Sequence, residues 1–147
     1  MTIVIDTNIV FSGILNPSSN IGKILILPGE QFQFYTCGYL WVEIKKHRNR
    51  LLSLTKLSEE KLNELENLVV KNVKFIDDTL LPQEILVKAE LLLNDVDPND
   101  TPFVALTMHL EGKLWTGDLQ LYNGLRAKHF TNVVLTSELF LLLSGMP

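Results

Sequence analysis

The stretch Ile3-Val4-Ile5-Asp6-Thr7-Asn8 places an aspartate directly after a short β-branched apolar run. Such a run suits a strand covered on both faces of a parallel sheet. A second stretch, Leu114-Trp115-Thr116-Gly117-Asp118, repeats the arrangement, with an apolar run closing on an acid. In open α/β sheets, ligand sites form outside the carboxyl ends of the strands. Two parallel strands would therefore deliver Asp6 and Asp118 to one edge. Each aspartate alone reads better as a cap on the turn that follows its strand. Their coincidence is what points to a shared site.

Outward from these stretches, strand and helix signals alternate along the chain, which argues for a parallel sheet covered by helices. Strands are expected at Thr2–Ile5, Gln31–Cys37, Val73–Ile76, Leu114–Thr116 and Val133–Leu135. Ser12–Asn20, with Gly13 and Pro17, reads as a loop, followed by a short helix over Ile21–Leu27 that Pro28-Gly29 stops. One helix is expected from Tyr39 to about Leu52. Another opens at Ser58, a good N-cap, with Leu62, Leu65 and Val69 at helical spacing. Further helices are expected over Pro82–Leu93, Leu119–Ala127 and Ser137–Leu143, and from Asp100 as N-cap through His109. The sequence shows no repeat and no Gly/Ser linker, so a single domain over residues 1–147 is expected.

Composition narrows the function classes. Hydrophobic residues make up 46% of the chain and charged residues 20%, enough for a real core. The formal net charge of −4 excludes a general basic coat for nucleic acid but leaves room for a local basic patch. The single cysteine, Cys37, lies in an apolar run and reads as a buried thiol in a reducing cytoplasm. No leader-like segment precedes the first strand, and no apolar run approaches the roughly 20 residues of a membrane helix. A cytoplasmic protein without a membrane anchor is the expectation.

Glu43 and Asp100 both lie near helix starts and could join Asp6 and Asp118. The bland alternatives are a surface Glu43 paired with Lys46 or His47, and an Asp100 that only caps its helix. Asp97 reads as a peripheral ligand and Asp95 as a solvated acid. Clustered carboxylates repel one another unless a cation neutralises them, and oxygen donors of this kind suit Mg²⁺ or Mn²⁺. Zinc is disfavoured, because His47, His109 and His129 have no paired spacing and no cysteine partners.

These segments carry a resemblance. The opening Ile3–Val10, Glu43 in its helix, Asp97-Pro98-Asn99-Asp100-Thr101-Pro102-Phe103-Val104-Ala105-Leu106, and Leu114–Asp118 together resemble PIN domains. They are most similar to the VapC-type toxin ribonucleases and their stand-alone bacterial relatives. The resemblance covers nearly the whole chain in the right order. It implies a three-layer α/β/α fold around a parallel five-stranded sheet. It also implies a Mg²⁺- or Mn²⁺-dependent endoribonuclease whose acidic quartet is Asp6, Glu43, Asp100 and Asp118. Thr116 matches a hydroxyl position near the metal and Asn8 a polar position that supports the first aspartate. Asp118 is followed by Leu119-Gln120 rather than by a second acid, a departure from the pattern. A small antitoxin partner and a homodimer are further implications.

Lys45, Lys46, Arg48 and Arg50 follow Glu43 and are candidates for RNA phosphate contacts, against the alternative of a solvated helix face. Tyr39 and Trp41 could stack on bases but in their apolar context read better as core packing or dimer contacts, and Phe11 is a weaker stacking candidate. The competing function is a PIN-like RNA- or protein-binding scaffold without catalysis. A receiver domain or a haloacid-dehalogenase-like phosphatase ranks lower. The first would want an acidic pair and a late strand-end lysine, the second Asp-x-Asp, and the chain has Asp6-Thr7-Asn8.

Overall fold

A computed structural model describes residues 1–144. The expected domain ends at 147, so its last three residues lie outside the described ones. Five parallel strands form one sheet: β1 (Thr2–Ile5), β2 (Gln33–Cys37), β3 (Val73–Ile76), β4 (Lys113–Trp115) and β5 (Val133–Val134), in the order β3-β2-β1-β4-β5. The chain builds outward from β1 to β2 and β3, then crosses back to lay β4 on the other side of β1. The reversal makes a topological switch point between β1 and β4. Ile5 is in register with Trp115, so Asp6 and Thr116 leave their strands side by side.

The central strand is apolar because both its faces are covered. Ile3, Val4 and Ile5 are all fully buried. On one side α1 (Thr7–Leu15), α2 (Asn20–Ile26) and α5 (Glu59–Val70) pack against one another, joined by α3 (Tyr39–Lys46) and α4 (Arg48–Thr55). On the other, α7 (Thr101–Leu110) lies on β1, β2 and β4 and is flanked by α6 (Gln83–Leu93). With α8 (Leu119–Ala127) against α6, these make a three-layer α/β/α arrangement. α9 (Thr136–Ser144) follows β5 and docks through the buried Leu139. Phe103 to Thr107 are all buried, as a helix sandwiched between a sheet and a second helix requires. No helix among the described residues is long and apolar enough to cross a membrane. Cys37 is buried, and burial pushes its thiol up to about 12, which leaves it inert.

Two expected elements differ. The loop expected at Ser12–Asn20 is helical as far as Leu15. Gly13 does not break α1, because it is a contact residue. A Cβ there would stand 3.0 Å from Leu25 Cδ1 and 3.3 Å from Val69 Cγ1, so its absence lets α2 and α5 approach. The single helix expected over Tyr39–Leu52 is two helices with a bend at His47 (φ −106°, ψ 15°). The bend lets Arg48 turn toward α5, where its guanidinium donates to Glu66 Oε1 and to Asn63 Oδ1, each at 2.9 Å. Neither proline nor glycine marks the place in the sequence.

Candidate active site

At the switch point, Asp6 follows β1 and caps α1. Its Oδ1 accepts the Ile9 N–H at 3.0 Å, and its Oδ2 accepts the Thr116 hydroxyl at 2.6 Å. The Thr116 oxygen in turn accepts the Asp118 N–H at 3.1 Å. One buried threonine therefore ties the two strand-end aspartates into a single unit. Asp118 caps α8, its Oδ1 accepting from the Gln120 and Leu121 N–H groups at 2.9 and 3.3 Å. In both cases the aspartate caps the helix that follows its strand.

Glu43 sits on α3 facing α1, where its Oε1 accepts the Thr7 hydroxyl. That contact replaces the expected surface pairing with Lys46 or His47. Asp100 precedes α7 but makes no capping hydrogen bond, contrary to the cap expected from sequence. It sits at the end of a short 3-10 turn (Pro98–Asp100), in a helical conformation (φ −84°, ψ −1°) rather than the extended one that aims a capping oxygen. Asp97 does the local capping instead, accepting the Asn99 N–H at 3.0 Å. The Asp100 carboxylate is thereby left to the cluster.

The acids feel one another electrostatically. Burial pushes the Asp100 carboxyl up to about 8, reinforced by Asp6, Asp97, Glu43 and Asp118. Burial likewise raises Asp6 to about 6, with Asp118 and Glu43 adding to it, while the Thr116 hydroxyl and the Ile9 N–H pull the other way. The donors are all hard oxygens, and the field they create favours protonation unless a cation enters. The residues therefore fit a divalent ion of the Mg²⁺ or Mn²⁺ class. Among the described residues no three acidic, histidine or cysteine side chains converge into a ready-made cage. Mg²⁺ does not need one, since it keeps several waters and takes few protein ligands.

The other expected site residues scatter. Asn8 is exposed and lines a notch with Thr7, Phe11, Glu43, His47 and Arg50. The supports of Asp6 are Thr116 and the Ile9 N–H. The basic run divides between two faces. Arg50 reaches the notch beside Glu43, and its guanidinium lies 5.5 Å from the Phe11 ring centroid. Lys45 and Arg48 line a separate shallow groove with Asn63 and Glu66, while Lys46 is exposed. Asp95 is exposed, as expected, but pairs with Lys128. One residue was not singled out for the site: Thr7 holds Glu43, and its only signal was adjacency to Asp6. Tyr39, weighed for stacking but expected in packing, stands at the rim, where burial raises its phenol pKa and Glu43, Asp97 and Asp100 add to the rise.

Comparison with known proteins agrees with this fold. A search of curated proteins by sequence found no significant match. Among solved structures, the chain is similar to the crystal structure of VapBC2 from Rickettsia felis bound to a DNA fragment from their promoter. The TM-score is 0.65 at 14% identity, covering 92% of this chain and 97% of the other, which is a likeness of fold. A family profile described as PIN domain matches residues 4–138. That match spans both strand-end aspartates, Glu43 and Asp100, and the chain belongs to the PIN domain family.

Proposed function

We propose that this chain is a Mg²⁺- or Mn²⁺-dependent endoribonuclease acting in the cytoplasm. The observation that supports the reading is the pairing of the strand-end acids through Thr116, with Asp100 pushed up to about 8 by burial and by Asp6, Asp97, Glu43 and Asp118. Asp6, Asp100 and Asp118 would hold the ion, with Glu43 beside them and Asp97 peripheral. When bound, the ion supplies the Lewis acidity for in-line hydrolysis of an RNA phosphodiester. The chain supplies position. Thr116 locks Asp6 against Asp118, Thr7 locks Glu43, and the N-terminal ends of α1 and α8 fix both strand-end aspartates.

The family and the VapBC2 likeness favour a toxin of a type II pair, with a small antitoxin as partner and a homodimer as assembly. The alternative is a PIN-like scaffold that binds RNA or protein without cutting. The acidic pI of about 5.3 is compatible with it.

Cleavage of a labelled single-stranded RNA with Mg²⁺ or Mn²⁺ tests the reading, with EDTA and an Asp6→Asn/Asp118→Asn variant alongside. Metal-dependent cleavage that the variant loses is the expected result. Cleavage that survives both EDTA and the double substitution would overturn it. So would the absence of both cleavage and Mn²⁺ binding, which would favour the scaffold.

A further inference from the structure

The carboxylate cluster is flanked by two clefts of opposite chemistry. On the α1/α3 side is the notch, about 90 Å³, with Thr7 and Glu43 of the cluster among its walls. It is the smaller of the two, and its polar walls suit phosphate oxygens. Arg50 points into it and forms no ion pair among the described residues, although carboxylates are close by. It is held instead by the face of Phe11, against which the His47 ring stands edge-on at 6.4 Å. A guanidinium held by an aromatic ring, with its N–H fork uncommitted, suits phosphate.

On the other side is a cleft of about 400 Å³, lined by Tyr39, Leu86, Pro98, Asn99 and Pro102, with Thr101 next to Asp100. Its character is aromatic and apolar, and its one charged wall is Glu90, which would repel a phosphate. Tyr39 is braced from behind by Phe103, ring centroids 6.2 Å apart. Such a platform takes the flat face of an uncharged base.

We propose that the two clefts hold successive parts of one unpaired RNA strand across the carboxylate cluster, the Arg50 notch gripping a backbone phosphate and the Tyr39 cleft stacking a base. The proposal rests on the ribonuclease reading and assigns to it the residues that hold the strand, Arg50 for a phosphate and Tyr39 for a base.

The test measures binding of a labelled single-stranded oligoribonucleotide in an Asp118→Asn background, where the probe survives, over a range of salt. Arg50→Gln should weaken binding and flatten the plot of log affinity against log salt by about 0.7, the signature of one lost phosphate contact on a single strand. Tyr39→Leu should weaken binding roughly 5- to 150-fold, the equivalent of ~1–3 kcal/mol of stacking, with the salt slope unchanged. Tyr39→Phe should bind as the parent does, and duplex RNA should compete poorly. If the parent binds but Arg50→Gln keeps its slope, or Tyr39→Leu its affinity, the two-cleft path is overturned and the nuclease reading stands. Duplex competing equally would overturn it in the same way. No binding by the parent would overturn the path, while the nuclease reading is decided separately by the cleavage assay above.

Discussion

The hydroxyl of Thr116 donates to Asp6 Oδ2 at 2.6 Å across 110 positions of sequence, and both residues are buried. The same threonine accepts the Asp118 backbone N–H, so it sets the spacing of the two strand-end acids. Thr116→Val keeps shape and removes this link. The expected loss in metal affinity or activity is about 10- to 100-fold, as for other residues that orient ligands. Titration calorimetry with Mn²⁺ checks it, and unchanged affinity in a folded variant would show that Asp6 and Asp118 are positioned without Thr116.

Stability should fall as the metal-free protein is made alkaline. Asp6 and Asp100 are raised from 3.8 to about 6 and about 8, so the folded state holds protons that the unfolded chain has lost. The contribution is complete below pH 3.8 and disappears as pH rises through about 6 and then about 8. Melting temperatures in EDTA should therefore show a component that declines between pH 5 and 9 and is reduced in Asp100→Asn. Mn²⁺ should stabilise the parent most at the alkaline end. Parallel pH curves for parent and variant would show that Asp100 feels no such field.

Arg48 is expected to matter for stability rather than for RNA. It meets Glu66, whose carboxylate is nearly buried, and burial raises that group's pKa while Arg48 opposes the rise. Arg48→Met should cost about 1–3 kcal/mol, less than a fully buried pair because Arg48 is partly solvated. Adding Glu66→Leu should restore most of it. Urea unfolding measures both, and a salt slope for RNA binding equal to that of the parent would place Arg48 off the substrate path.

Gly22→Ala tests the α1–α2 corner. A Cβ there would come within 2.4 Å of the Pro17 carbonyl oxygen, a backbone atom with little room to give. A cost of about 1–3 kcal/mol is expected, read as a lower urea midpoint. Stability equal to the parent would show that the 16–19 turn adapts freely.

The fold was legible wherever a residue's chemistry and its local pattern pointed the same way. Ile3–Ile5 and Leu114–Trp115 are apolar because helices cover both faces of the sheet, and the acids that follow them cap helices while facing the site. Legibility failed where a residue's partner is remote. Gly13 looks like a turn residue, yet its reason is Leu25 and Val69 on other helices. The bend at His47 answers to Glu66 on α5, which no local spacing records. Asp100 has the composition of a cap, but the backbone leading into α7 turns it toward the other acids. In the basic run after Glu43, charge was visible and direction was not: Arg48 and Arg50 lie two positions apart on α4 and leave it on different sides, and which side meets which groove is set by packing.

The first strand made lies in the middle of the sheet, and its neighbour on the Asp118 side begins only at Lys113. While the chain is on the ribosome, Asp6 therefore waits through most of synthesis without Thr116 or Asp118 beside it. A chain stopped before β4 would expose one edge of β1, an invitation to sticking and to proteolysis. On the nuclease reading proposed above, such a chain could not cut the message that encodes it, and the activity would be withheld until the last quarter of the chain has emerged.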